Sequence, residues 1–313
     1  MRILITGAGG FAGAHLAREL AADNELTGAV RDVAPRDFPG GIVRMDLTDP
    51  SSVEEAVAKV RPDEIYHLGG VSAPSEAAQN PKWAFDVNMG GVFNILSAAA
   101  RHAPGCATLV VSSSEVYGRV GAGDLPLTER QPLRPAGAYA YTKLAGERAA
   151  ALCAERDGLR VVIVRPFNHT GPGQDTRFVA PAFARQIALI EAGRAEPVVT
   201  TGNLDAGRDF LDARDVARAY AAALRQGVSG EVYNICSGKP VTPREILETL
   251  LALSTVKDIA RKVDPARGRP SDNPSVFGDA TALTARSGWR PEIPLERTLR
   301  DLLVHERALA RAV

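Results

Sequence analysis

The chain opens MRILITGAGGFAG, residues 1–13, and the reading of that stretch decides the fold. Met1 to Thr6 is a short apolar run of strand type, Gly7, Gly10 and Gly13 follow, and an apolar spacing through Leu16 and Leu20 begins a helix. Glycines at such a turn let the backbone approach a pyrophosphate closely, and the helix start offers unpaired N–H groups and a partial positive charge. Strand, glycine turn and helix in that order predict a dinucleotide cradle.

Further strands are expected near Leu26, Val43, Ile65, Leu109 and Val161, alternating with helical segments that include Ala98–Ala100 and Ala149–Ala151. That alternation predicts an α/β fold, a Rossmann-type doubly wound parallel sheet covered on both faces, with a smaller α/β lobe. No internal repeat is visible. The segment His169-Thr170-Gly171-Pro172-Gly173 marks the exit from the first part. Thr242-Pro243-Arg244-Glu245 has capping-box spacing with proline at the first helical position, so a helix is expected to run to about Leu253. The expected division is residues 1–168 with 210–237 as the dinucleotide-binding domain, and 169–209 with 238–313 as the second lobe.

The 313 residues suffice for both parts, and 37 basic residues balance 37 acidic ones. That balance points away from a nucleic-acid or membrane surface as partner. Cys106, Cys153 and Cys236 are odd in number and widely spaced, which argues against a disulfide framework or a metal site and fits a reducing cytoplasm. A strand starting at Met1 leaves no room for a signal peptide, and no apolar run reaches the roughly 20 residues of a membrane span.

The strand from Leu26 to Val30 ends in Arg31-Asp32. A guanidinium there pairs with a 2′-phosphate and favours NADP(H), whereas Asp32 keeps NAD(H) possible, and a solvated loop arginine is the alternative to both. Asp46-Leu47 follows the third strand, where it is placed to meet the adenine. The fourth strand, Glu64 to Leu68, runs into Gly69-Gly70, whose missing side chains leave room for a cofactor. His67 reads as a packed histidine.

Tyr139 and Lys143, in YAYTK, lie four apart on one helix face, downstream of the strand end Val110-Val111-Ser112-Ser113. A neighbouring ammonium lowers a phenol from its usual value near 10 by roughly 1 to 3 units, so the pair is expected to form an acid. The hydroxyl of Ser113 can hold a substrate oxygen while Tyr139 delivers the proton. Taken alone, YxxxK is also common on ordinary amphipathic helices. Arg165-Pro166-Phe167-Asn168-His169, Arg208 and Arg269 lie further on. Two arginines from separate loops can clamp a diphosphate, as in a sugar nucleotide, or pair with surface carboxylates.

The combination GxxGxxG, Asp46-Leu47, HLGG, Asn88 in a helix, SSSEVYG and YAYTK resembles the extended short-chain dehydrogenase/reductase family through nearly the whole chain. The resemblance implies Ser113, Tyr139 and Lys143 as the catalytic set, with Asn88 positioning Lys143 through water. It implies cofactor contacts at Gly7, Gly10, Phe11, Gly13, Arg31, Asp46, Leu47, Leu68, Gly69, Asn88, Tyr139 and Lys143.

In wording, RPFNHTGPGQ, RQIA, RDFLDARDVA and VYNICSG resemble the family's GDP-4-keto-6-deoxymannose reductase branch. This implies NADPH-dependent reduction of the C4 ketone of a nucleotide-linked 4-keto-6-deoxyhexose. Ser113, Ser114, Asn168, Val179, Arg208 and Arg269 would then touch the substrate, with Gln174 and Arg185 as further candidates. Glu115 keeps a second activity open, because a glutamate at this place abstracts the C5 proton in the family's 4,6-dehydratases. One dehydratase branch has an aspartate acid where this chain has Ser114. A 4-epimerase and a non-catalytic dinucleotide-sensing scaffold are the remaining alternatives. A homodimer through the helices holding Asn88 and Tyr139 is also implied.

Overall fold

The computed structural model describes residues 1–35, 37–264 and 274–312. Strands β1 (Arg2–Thr6), β2 (Glu25–Val30), β3 (Gly41–Arg44), β4 (Glu64–His67), β5 (Ala107–Val111) and β6 (Arg160–Pro166) stand where the sequence predicts them. A seventh, β10 (Val232–Ile235), was not among those expected. All seven pair in parallel in the order β10-β6-β5-β4-β1-β2-β3.

Successive side chains of β1 point to opposite faces, and both faces are apolar. Ile3 and Ile5 pack with Leu16, Ala17 and Leu20 of α1 (Phe11–Leu20) and with Val216, Ala217 and Tyr220 of α8 (Ala213–Gln226). Leu4 packs on the other side with Val53 and Val57 of α2 (Pro50–Val60) and with Ile95 and Ala99 of α5 (Gly91–His102). The long helix α6 (Gly137–Asp157) lies beside α5 and buries Ala150 and Cys153 against Val110, Val161 and Ile163. Each fully buried aliphatic side chain contributes about 1.5 to 3 kcal/mol, so the two layers dominate the stability of this part.

The strand order reverses between β1 and β4, and ligands of open α/β sheets bind at such a reversal. Here the backbone is bare. Gly7 has φ +69, and a Cβ on it would lie 2.8 Å from the amide nitrogen of Gly69 at the end of β4. After β4 the chain forms α3 (Pro74–Gln79), α4 (Pro81–Phe85) and a π-helical turn, Asp86–Gly90, that leads into α5.

A second cluster of side chains joins α7 (Val179–Glu191), α9 (Pro243–Ala252) and α11 (Leu295–Ala312) through Phe183, Ile187, Ile246, Leu250, Leu299 and Leu303. The capping box of α9 forms as expected, Thr242 accepting from the Glu245 amide and Glu245 from the Thr242 amide. The segment from His169 to Gly173, read as the exit from the first part, begins within β7 (Asn168–Thr170), which pairs in parallel with β9 (Gly207–Asp212). β9 also pairs with β11 (Pro240–Val241) and β13 (Ser275–Val276). β8 (Val198–Thr201) pairs with β12 (Ala260–Val263), and α10 (Thr281–Ser287) follows β13.

Candidate active site

At the sheet reversal a cleft of about 500 Å³ is lined by Gly7, Gly9, Gly10, Arg31, Asp32, Asp46, Leu47, Gly69 and Gly70, among others. The glycines are dictated by packing. A Cβ on Gly13 would sit 2.4 Å from the Gly7 carbonyl oxygen, so α1 can start this close to β1 only without a side chain there. Gly10 caps α1 without a side-chain bond, which leaves the helix's first N–H groups facing the turn. Thr6 accepts from the Gly69 amide at 2.9 Å, and its hydroxyl shares a hydrogen bond with Nδ1 of His67 at 2.8 Å. Burial pushes His67 down to about 3, so it is a neutral, packed residue as the sequence suggested.

Arg31 and Asp32 stand together at one end of the cleft, Nε to Oδ2 at 2.7 Å. That bond, with the charges of Asp46 and Glu76, holds the exposed guanidinium more firmly protonated. Asp46 accepts from the amide and hydroxyl of Thr48, and Leu47 packs over Gly69. Leu68 packs against the core, and Phe11 stacks on His169 with centroids 6.0 Å apart. Ser72, Glu76 and Trp83 also line the cleft, and none was foreseen. They come from the β4 loop and the short helices after it, where the only local signals are Pro74 and Pro81 opening those helices.

Ser113, Tyr139 and Lys143, the residues expected to form an acid site, come together at the end of β5. Ser113 is buried and caps a 3₁₀ turn, Ser114–Tyr117, its hydroxyl accepting from the Glu115 amide at 3.2 Å. Tyr139 on α6 hydrogen-bonds Ser113. Lys143, one turn on, donates to the Val111 carbonyl at 3.0 Å, and its ammonium lies 6.0 Å from the Tyr139 ring centre. Here the structure corrects the sequence reading. Tyr139 is not lowered by Lys143; burial, with Glu115 adding to it, pushes the phenol up to about 12 against the opposing bond from Ser113. Burial also pushes Lys143 down to about 8, opposed by Glu147.

Asn88 sits in the π-helical turn. Its side chain bonds both the amide and the carbonyl of Val71 and the hydroxyl of Thr142, so it ties the β4 loop to α6 beside Lys143 rather than touching Lys143 itself. Gly70 and Gly146 permit this, since a Cβ on either would lie 2.7 Å or 2.8 Å from an Asn88 oxygen. Single π turns inside helices recur at functional sites.

Among the expected substrate contacts, Asn168 is exposed at the start of β7, and Val179 begins α7. Arg208 on β9 is half-buried, which lowers its pKa, and the charge of Glu115 opposes that shift. Arg208 and Glu115 therefore share one electrostatic neighbourhood, as do Glu115 and Tyr139. Gln174 donates to the His169 carbonyl at 2.9 Å, and Arg185 faces the buried Glu306 at 3.6 Å. Arg269 lies outside the described residues.

Residues 4–302 match the family model described as GDP-mannose 4,6 dehydratase. The chain is 36% identical to a GDP-6-deoxy-D-mannose reductase of Pseudomonas aeruginosa over 96% of both proteins. It is 29% identical to a GDP-mannose 4,6-dehydratase of Yersinia enterocolitica, over 85% of this chain and 78% of that one. Among solved structures, RMD from Pseudomonas aeruginosa complexed with NADPH matches with a TM-score of 0.88 and 34% identity, covering 99% of this chain and all of that one. A Thermus thermophilus UDP-glucose 4-epimerase complexed with NAD matches with a TM-score of 0.84 and 29% identity over 98% and 99% of the two chains. With its parallel sheet, glycine-lined cleft and Ser113-Tyr139-Lys143 constellation, the chain belongs to the GDP-mannose 4,6-dehydratase family of extended short-chain dehydrogenase/reductases.

Proposed function

We propose that this enzyme reduces the C4 ketone of a nucleotide-linked 4-keto-6-deoxyhexose of the GDP-4-keto-6-deoxymannose type, with NADPH preferred and NADH possible. The observation that carries the reading is the meeting of Ser113, Tyr139 and Lys143 at the end of β5, in a chain 36% identical to a GDP-6-deoxy-D-mannose reductase. The cleft suits a dinucleotide because Gly7, Gly13 and Gly69 bring bare backbone together where side chains would clash. Gly7, Gly10 and the start of α1 would hold the pyrophosphate, Arg31 the 2′-phosphate, Asp46 and Leu47 the adenine side, and Lys143 the nicotinamide ribose.

When bound, the reduced dinucleotide supplies a hydride to the ketone carbon. Tyr139 is protonated at neutral pH and gives its proton to the ketone oxygen. Ser113 donates a hydrogen bond to that same oxygen, and the Lys143 ammonium stabilises the phenolate left on Tyr139. Asn88 holds the α6 segment that carries Lys143 against the β4 loop. Residues 1–168 with 210–237 would serve the cofactor, and 169–209 with 238–313 the sugar nucleotide, with Ser113, Ser114, Asn168, Val179, Arg208 and Arg269 as its proposed contacts.

A dehydratase is the second reading, favoured by the description of the matching family model and by Glu115. The Glu115 carboxylate is exposed and bears on Tyr139, where a C5 base would stand. Stoichiometric NADPH oxidation on adding GDP-4-keto-6-deoxymannose supports the reductase. No oxidation, with keto-sugar formation from GDP-mannose, supports the dehydratase.

The outer faces of the π-helical turn, α5 and α6 expose Met89, Phe93 and Leu152 around a shallow apolar groove that also includes Ala145 and Ala149. A second copy covering this groove gives the homodimer, which sedimentation tests. Among the described residues no helix is long and apolar enough to cross a membrane, and the three cysteines are buried and unpaired, which suits a reducing cytoplasm.

A further inference from the structure

Behind the acid site lies a buried ion pair that the reaction scheme does not use. Glu147 on α6 and Arg165 on β6 are 3% and 5% exposed. The guanidinium grips the carboxylate with two bonds, Nε to Oε1 at 2.9 Å and Nη2 to Oε2 at 2.8 Å. Its third arm donates to the Tyr117 hydroxyl at 3.1 Å and lies against that ring, while Tyr117 donates to Asn234 at 2.7 Å. The Ser112 hydroxyl donates to Glu147 as well.

Tyr139, Lys143 and Glu147 follow one another at intervals of four on a single helix face. Each engages a different residue of the β5 end: Tyr139 meets Ser113, Lys143 meets Val111, and Glu147 meets Ser112. Relative to apolar residues, a buried ion pair is often neutral or unfavourable for stability. Its place one turn beyond the reactive ammonium is therefore the informative fact. We propose that Glu147, locked by Arg165, is a positioning residue that keeps Lys143 cationic and holds the β5 end in register with Tyr139.

Among the described residues, the other groups around Lys143 do not supply this charge. His67 on β4 is neutral, Val111 on β5 offers only a carbonyl, and Tyr139 is protonated. Glu115 bears on Tyr139 and Arg208. Glu147 is the carboxylate whose field opposes the loss of the Lys143 proton, and Arg165 lies on its far side. The inference rests on the reading that Tyr139 and Lys143 carry the proton chemistry, so its test has a readout besides turnover.

The chain has six lysines, few enough for the ¹³Cε resonance of Lys143 to be followed with pH in lysine-labelled protein and assigned by its loss in Lys143→Arg. In Glu147→Gln the midpoint of Lys143 should fall by roughly 1 unit or more, because an opposite charge has gone and Arg165 is left unbalanced. In the double variant Glu147→Gln with Arg165→Met the midpoint should lie between that of Glu147→Gln and that of the wild type. Turnover of Glu147→Gln should fall most steeply on the alkaline side. Coincident midpoints in the three proteins overturn the proposal, and if Glu147→Gln does not fold, a wild-type midpoint in the double variant does so. Ordered midpoints in an enzyme that never oxidises NADPH support this inference and remove the proposed reaction.

Discussion

Replacing Gly13 by alanine tests the cradle at its narrowest point. The new methyl would stand 2.4 Å from the Gly7 carbonyl oxygen and 3.0 Å from the Ala8 Cα, both backbone atoms that cannot rotate away. Restoring an ordinary contact of 3.4 Å takes a shift of about 1 Å in the start of α1. Overpacking of this kind costs about 1 to 3 kcal/mol, a drop in Tm of roughly 1.5 to 5 °C for a protein of this size. The larger effect falls on binding. A shift of about 1 Å in the first N–H groups of α1 costs at least one hydrogen bond to a charged group, about 1.5 to 3 kcal/mol or roughly 10- to 150-fold in Kd. Calorimetric titration with NADPH and a thermal melt measure the two losses. Gly105→Ala is the control, because a Cβ there meets nothing within 4 Å. A Gly13→Ala protein with wild-type Kd and Tm would refute the account of why that glycine is there.

Tyr139→Phe should cut keto-sugar reduction by roughly 100-fold or more while NADPH binding stays near wild type; retained turnover removes Tyr139 as the acid. Arg31→Ala should weaken NADPH by roughly 10-fold or more and NADH much less, and equal losses in binding titrations would contradict its role at a 2′-phosphate. Lys143 lies at about 8 in the fold against an ordinary value of 10.5, so carrying its charge there costs stability below pH 8, and that cost fades as pH rises from about 8 to 10.5. Lys143→Met should therefore melt higher than wild type at pH 7, with the gap closing toward pH 10.5, and be inactive; a gap that does not change with pH contradicts the buried cation.

The glycine turn and six of the seven parallel strands were legible because their signals are local: missing side chains at a turn and short apolar runs between helices. The strand Val232–Ile235 was not, since four residues far along the chain acquire their place only by pairing with β6. The cleft wall from Ser72, Glu76 and Trp83 was hidden for a similar reason, because nothing in their own spelling says that two short helices fold back over the sheet edge. Spacing alone put Tyr139 and Lys143 together, but not the sign of the phenol's shift. That depends on how deeply α6 buries the ring and on an ammonium turned toward Val111. Glu147 continues the same four-residue rhythm but was not singled out, because only its partner Arg165, eighteen residues on, gives that spacing a meaning.

The three-rung attachment of α6 to the end of β5 also bears on how such an enzyme changes its trade. Hydroxyl, phenol and ammonium all belong to one strand and one helix, whereas Asn168, Val179 and Arg208 come from strands and a helix outside that pair. Asn168 and Val179 can change without breaking a rung of the attachment, whereas Arg208 reaches Tyr139 through the charge of Glu115. On the proposed roles, the proton-handling unit is separable from most of the sugar's seat, so a change of sugar calls for new side chains at Asn168 and Val179 and not for a new strand-to-helix attachment.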